Sequence, residues 1–295
     1  MPLIRSNQPL KEGEVFNKWL RSRLIKNNKN VLTATTGSTG SSKSYQDLRR
    51  AELWYKLYFN KEFPSENICF SVAEVMRRLS TPKPKKGEII IFEEAGTNLG
   101  SLDFQNKVSK LFTYVLQTFR TLNVAIFFNL PYLSMLNKSA RLLIHVRFET
   151  CGIDFEKKIA KSKAWFRQVN QSSGKVYEKF LRIRHNGRIQ VIKKFNYHLP
   201  SEELRKVYEK KKLKFITDMN TDFVKELDII ERDKLRKLMR PSLTNIQMET
   251  YELLVKYKGD INKVAEDRGR TVRTIQRIIK SMKKRGYDLK FKENA

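Results

Sequence analysis

Histidine and cysteine are scarce in this chain of 295 residues, which has three of the first and two of the second. Cys69 and Cys151 stand far apart in sequence, with no C-x-x-C pair and no His/Cys cluster. Neither a zinc site nor a disulfide framework is therefore expected, and a reducing compartment is. His145, His185 and His198 are scattered and read as structural. Long apolar runs are missing too. The N-terminus lacks the apolar core of a secretory signal. The longest apolar stretch, around Val124 to Leu136, is interrupted by Asn129 and Pro131 and is too short to span a bilayer. A soluble, cytoplasmic protein with no membrane span is the expectation. Acidic residues are few: 31 Asp and Glu stand against 60 Lys and Arg, a formal charge of +29. The sequence pI is about 10.1. Such an imbalance favours a polyanionic partner, nucleic acid before membrane, over an unpartnered lysine-rich surface.

What is present is enough for a globular protein, at 40% hydrophobic and 11% aromatic. The length allows one large domain or two ordinary ones. The chain is organised around residues 31–44. Val31-Leu32-Thr33-Ala34-Thr35-Thr36 reads as a strand, followed by Gly37-Ser38-Thr39-Gly40-Ser41-Ser42-Lys43-Ser44 and a helical pattern. Gly37, Lys43 and Ser44 fall in register with the phosphate-loop template G-x-x-x-x-G-K-[ST]. Ser42 stands where the second glycine belongs. In such a loop backbone N–H groups curl round a phosphate, a lysine reaches the β- and γ-phosphates, and a hydroxyl reaches magnesium. Gly40, Ser41 and Ser42 contribute loop amides, Lys43 the cation and Ser44 the hydroxyl.

A second motif follows. Glu88 to Gly96 reads as a strand buried on both faces, Ile89-Ile90-Ile91-Phe92, with Glu93 and Glu94 at its C-terminal end, where open α/β sheets place ligands. Glu93 can orient magnesium and Glu94 can polarise an attacking water. Most such sites have Asp at the first position, so Glu93 is a second departure. A helix is expected from Phe104 to Phe119 and a strand from Val124 to Phe128. Asn129 at its tip either senses the γ-phosphate or simply makes the turn with Leu130 and Pro131. A helix to Ala140 and a strand from Leu142 to Phe148 complete a strand–helix alternation that favours a mostly parallel sheet.

Residues 151–200 are the most basic per residue. Val176 to Arg184 and Arg188 to Phe195 read as a hairpin turning at Asn186-Gly187. It carries Arg182, Arg184, Arg188, Lys193 and Lys194 and either tracks a phosphate backbone or is a solvated edge. Residues 201–240 read as a charged helical connector. In the last segment Thr244 and Thr271 cap helices, Val264-Ala265 and Gly269 match the spacing of a helix-turn-helix, and Ile275 and Ile278 seat its second helix. The exposed face of that helix and the preceding turn offers Arg270, Arg273, Thr274, Gln276, Arg277 and Lys280, side chains suited to base edges and phosphates in a major groove. A small protein-interaction module is the alternative.

Residues 31–149 resemble the P-loop ATPases of the FtsK/HerA group, and among them the zonular-occludens-toxin-like ATPases of prokaryotic viruses and mobile elements. The likeness rests on Thr36-Gly37 to Ser44, on Gly87-Glu88 to Gly96, and on the Arg120 to Asn129 and Arg141 segments. It implies an α/β P-loop NTPase using ATP and Mg2+ in a prokaryotic host, usually a homo-oligomeric ring moving on double-stranded DNA. By this resemblance Lys43 and Ser44 hold phosphate and magnesium, Glu94 is the catalytic glutamate, and Arg120 or Arg141 serves a neighbour's site. The expected layout is an ATPase domain over 1–200 including a hairpin at 176–195, a connector over 201–240, and a helix-turn-helix domain over 241–295. A DNA motor follows from this. A nucleotide-gated regulator or replication initiator with little turnover is the alternative, and a nucleic-acid-binding protein with an empty loop is a weaker third.

Overall fold

The computed structural model describes residues 3–4, 10–80, 82–93, 119–185, 188–238, 243–287 and 289. The chain divides into two compact units, residues 1–216 and 217–295.

The first unit is built on an eight-stranded mixed sheet. Its parallel part comprises β2 (Val31–Thr36), β3 (Ile68–Cys69), β4 (Ile89–Phe92), β5 (Ala125–Leu130) and β6 (Val146–Asp154), in the order β6-β2-β5-β4-β3. The strand leading into the glycine-rich loop is therefore central, and β5 separates it from the strand leading to Glu93. β2, β4 and β5 are buried along their whole length, which is why they read as near-continuous apolar or β-branched runs rather than alternating ones. Their side chains divide between two cores. Val31, Ile91 and Phe127 face helices α1 (Glu14–Leu20) and α2 (Lys43–Tyr58), while Leu32, Ile90 and Phe128 face α3 (Val72–Ser80) and α4 (Lys138–Leu143). The sheet is thus covered on both sides, the layering a parallel sheet requires.

Two local readings differ from the structure. Leu142 and Leu143 are helical rather than the start of a strand, because Asn137 caps α4 by accepting the Ala140 N–H at 2.8 Å. The strand begins only at Val146. The basic hairpin is also shorter than the alternating pattern. β8 (Val176–Lys179) and β11 (Lys194–His198) both pair antiparallel with β7 (Ile159–Val169), at 166–169 and 159–163 respectively. Only β9 (Leu181–His185) and β10 (Arg188–Ile192) pair with each other, joined by the short β1 (Leu3–Ile4) in a separate three-stranded sheet. The ribbon is an insertion in an edge strand, and Phe195 belongs to the core rather than to the ribbon. The turn at Asn186-Gly187 and the expected helix over 104–118 lie outside the described residues.

Helix α5 (Glu202–Leu238) follows. Its first turns pack on the sheet unit through Leu204 and Tyr208, so the segment read as a connector starts as part of that unit. The second unit ends in three short helices, α6 (Asn245–Lys256), α7 (Ile261–Asp267) and α8 (Val272–Lys284). Thr244 and Gln247 cap α6 reciprocally, Asp260 caps α7 and Thr271 caps α8. Leu254, Val264, Ala265, Ile275 and Met282 form its core. Gly269, at φ +58°, makes the turn between α7 and α8. No helix among the described residues is long and apolar enough to cross a membrane.

Candidate functional site

The loop between β2 and α2 is a tight strand-to-helix bend. Gly37 sits at φ +152°, and a Cβ there would lie 1.8 Å from the Thr150 hydroxyl, so any other residue would strain the backbone and displace Thr150. Its N–H donates to the Pro131 carbonyl at 3.1 Å, tying the start of the loop to the end of β5. Thr150, on β6, donates from Oγ1 to the Thr36 carbonyl at 3.2 Å and lies 2.9 Å from Ser41 Oγ. Neighbouring strands thus hold both walls of the loop. The first turn of α2 begins at the loop, and a helix N-terminus is where the backbone attracts an anion.

Ser42 explains one departure from the template. It adopts φ +67°, ψ +25°, the left-handed conformation for which a glycine is expected there. For a residue with a Cβ this costs about 1–2 kcal/mol, more than the roughly 0.5–1 kcal/mol of extra unfolded-state freedom that glycine brings. The Ser42 side chain makes no capping hydrogen bond that would offset the strain. Ser42→Gly is expected to stabilise the protein by about 0.5–1 kcal/mol, read as a higher urea midpoint at unchanged slope. A lower midpoint would show that the hydroxyl matters more than the backbone.

Behind the loop a buried polar group locks β2 to α2. Thr35 donates from Oγ1 to Asp47 Oδ1 at 2.9 Å, and Arg50 donates from Nη2 to both Thr35 and Asp47. The Arg50 guanidinium lies 3.8 Å from the centre of the Phe148 ring. Burial raises the Asp47 pKa, against the lowering pull of Arg50.

At the mouth of the loop, Lys43 donates from Nζ to the carbonyls of Gly37 at 2.9 Å and Ser38 at 2.8 Å. Ser44 donates from Oγ to Glu93 Oε2 at 3.0 Å. Asn129 donates from Nδ2 to Ser44 Oγ at 2.9 Å and to Glu93 Oε1 at 3.3 Å. Residues from α2, the end of β4 and the tip of β5 meet here, because in the sheet β5 lies between β4 and β2, the strand that leads into α2. The turn-only alternative for Asn129 does not describe these contacts. Tyr208 of α5 adds a hydroxyl 3.5 Å from Glu93 Oε2. A cavity of about 430 Å3 opens on this cluster, lined among others by Lys43, Ser44, Tyr45, Asn129, Tyr208 and Lys212. That volume lies in the range of small-molecule sites, about 300–1,000 Å3.

Glu93 is 1% exposed, and its pKa is pushed up to about 8, first by burial and then by the charge of Asp47. Hydrogen bonds from Ser44 and Asn129 and the charge of Lys212 pull the other way without cancelling it. A buried carboxylate that accepts from the Ser44 hydroxyl, itself lining a cavity together with Lys43, suits a hard divalent cation that keeps waters and phosphate oxygens as its other ligands. Among the described residues no three His, Cys, Asp or Glu side chains converge on a metal site, so protein side chains alone do not complete a coordination shell. Ser44 and Glu93 fit Mg2+ shared with a bound phosphate.

The other sequence-based candidates are placed as follows. Glu94 lies outside the described residues. Arg120 lies in the 3-10 turn Phe119–Leu122 before β5, and Arg141 on α4 before β6. Both precede the N-terminal ends of parallel strands, at the opposite edge of the sheet from the loop. The Arg141 carbonyl accepts from Arg167 Nη1 at 2.5 Å. Gly40, at φ +77°, Ser41 and Ser42 line the cavity. His145 is structural: its Nδ1 accepts the Leu32 N–H at 3.0 Å, and burial lowers its pKa to about 3. On α8 and the turn before it, Arg270, Arg273, Gln276, Arg277 and Lys280 are exposed, while Thr274 is half-buried with its hydroxyl 2.9 Å from that of Thr271.

Three participants escaped the sequence reading: Thr150, Tyr208 and Lys212. Thr150 and Tyr208 are 109 and 115 positions from the residues they touch, and no local spacing announces such contacts. The apolar pair Leu204 and Tyr208, one turn apart, was the available hint that α5 begins against the core.

No family model and no curated protein matches this chain. Among solved structures, the chain is similar to the N-terminal domain of zonular occludens toxin from Neisseria meningitidis, at 14% identity and a TM-score of 0.34, over 52% of this chain and 95% of that one. It is also similar to a KaiC-like protein from the hyperthermophilic archaeon Pyrococcus horikoshii OT3, at 11% identity and a TM-score of 0.28, over 58% of this chain and 94% of that one.

Proposed function

We propose that this protein binds ATP with Mg2+ at the β2–α2 loop, hydrolyses it, and couples that cycle to movement or remodelling of double-stranded DNA. The observation that carries the reading is the meeting of Lys43, Ser44, Glu93 and Asn129 at the mouth of one strand-to-helix loop. In this reading Lys43 exchanges its two loop carbonyls for the β- and γ-phosphate oxygens, as a point charge among loop amides. Ser44 and Glu93 would hold the magnesium, which when bound would supply neutralisation of charge on the phosphates. Asn129 orients Ser44 and Glu93 and, on giving up one of those two contacts, would donate toward the γ-phosphate. Glu94 is the proposed base that orients the attacking water, and Arg120 or Arg141 of a neighbouring copy the proposed source of a second cation. DNA-stimulated phosphate release from ATP tests the whole reading, and its absence in the native protein would remove the motor.

The DNA-binding part rests on α8. Its buried residues, Ile275 and Met282, turn Arg273, Gln276, Arg277 and Lys280 outward together, a face that suits a major groove. The β9–β10 ribbon, with Arg182, Arg184 and Arg188 exposed, is proposed to follow the phosphate backbone. Replacing Arg273 and Arg277 together by Ala is expected to weaken duplex binding at least about tenfold and to lower the salt slope by one to two. ATP hydrolysis without DNA is expected to stay unchanged. An unaltered affinity would move DNA contact elsewhere.

The second reading, a nucleotide-gated DNA-binding regulator with little turnover, is favoured by one observation: α5 begins beside Glu93, through Tyr208, and runs on without a break to Leu238. Tight ATP binding without hydrolysis, together with a footprint on one DNA sequence, would select it.

A further inference from the structure

Helix α5 carries an apolar seam that neither the nucleotide site nor the DNA-reading helices use. Ile216, Phe223, Leu227 and Ile230 are 37%, 53%, 58% and 62% exposed, and the described residues leave this face open. With Asn220 they recur at steps of four, three, four and three. That is a heptad seam with Asn220 and Leu227 at a and Ile216, Phe223 and Ile230 at d. The flanking positions continue the pattern, with Met219 at g and Val224, 56% exposed, at e. The surfaces away from the seam carry Asp218, Asp222, Lys225, Asp228 and Arg232, with Ile229, 59% exposed, as an apolar exception.

We infer that this face is a docking surface for the same helix of a second copy, paired parallel and in register. The periodicity argues for a helix as occupant, and Asn220 argues for an identical one. In-register parallel pairing sets Asn220 against its own copy, so each carboxamide hydrogen-bonds the other. It also sets Met219 against Val224, apolar on apolar. Antiparallel pairing would place Asn220 opposite Phe223 or Ile230 and bury an unpaired amide, costing about 1–3 kcal/mol. Parallel pairing has one cost of its own, because Glu226 at g then faces Glu231 at e. An exposed like-charge pair costs only a few tenths of a kcal/mol, so the asparagine decides the direction. The seam is short, and the association it supports is micromolar. This inference is independent of what the β2–α2 loop binds.

Sedimentation equilibrium of the nuclease-treated full-length protein, from about 1 to 100 μM, tests it. The native chain is expected to pass from monomer to dimer across that range, and Leu227→Asp to stay monomeric with an unchanged circular dichroism spectrum. Glu226→Lys is expected to tighten the dimer several-fold, since the introduced ammonium would face Glu231 of the other copy. In a Cys151→Ser background, Ile230→Cys is expected to form a disulfide with itself on mild oxidation. Antiparallel pairing would separate the two sulfurs by at least ten residues of helix, about 15 Å, beyond any disulfide. A monomer at every concentration, a dimer undiminished in Leu227→Asp, or no Ile230→Cys cross-link would each overturn the proposal.

Discussion

Lys43→Ala is expected to weaken MgATP binding by about 10²–10³-fold and to abolish hydrolysis. Charge-assisted hydrogen bonds to ionised groups contribute about 1.5–3 kcal/mol each. The Lys43 ammonium, now shared between two carbonyls, has room to make two of them with phosphate. Losing both costs about 3–6 kcal/mol, and the lower part of that range converts to that change in affinity. Folding is little affected, because both contacts lie at the mouth of the loop and the first turn of α2 keeps its backbone. Lys43→Arg is no rescue: the planar guanidinium is wider than an ammonium and its donors are fixed in a fork. Calorimetry with ATP and Mg2+ gives the answer directly. If the Kd of the Ala variant lies within threefold of the native value, the loop is not a phosphate site.

The same loop shows what a sequence can and cannot disclose. The buried strands were legible because a strand covered on both faces has no polar position to spare, and Ile89 to Phe92 leaves no other reading. Asn129 was ambiguous because its role depends on β5 lying between β2 and β4, a fact of strand order that no local spacing encodes. β7 was missed altogether. Along it Lys161 and Lys163 alternate with Ala160, Ser162 and Ala164, residues so small that the buried face carries almost no hydrophobic signal. Ser42 was visible as a departure from the template, but sequence alone does not reveal that the serine adopts glycine's conformation. The three short helices at the end were read closely, because caps and helical spacing are local and do not wait on distant partners.

Glu93 carries the second large expectation, in which stability and activity part company. Its pKa is about 8 in the folded protein, against an ordinary value of 4.5. Between those two values the unfolded chain has lost the proton while the folded chain keeps it. Raising the pH through this window therefore favours unfolding. The contribution is fully present below 4.5 and is lost as pH rises through 8. Glu93→Gln keeps the shape and remains neutral, so it removes this part of the slope. At about pH 8.5 the variant is expected to be more stable than the native protein by about 2 kcal/mol or more, since each pKa unit is worth about 1.4 kcal/mol. At about pH 4, below the ordinary value of 4.5, the two should agree, since almost none of the slope has yet been spent. Asp47, whose pKa is also raised by burial, leaves a slope of the same sign in both proteins. On the proposed reading hydrolysis should fall at least about 10²-fold in the variant, because a neutral amide would not counter the charge of a bound magnesium. Thermal melts at the two pH values, beside a turnover assay, separate the roles. Equal slopes in both proteins would mean that Glu93 is already ionised, and the strain assigned to this corner would have to come from Asp47 alone. A carboxylate whose ionised form costs its own fold stability is what the proposed cation site would call for.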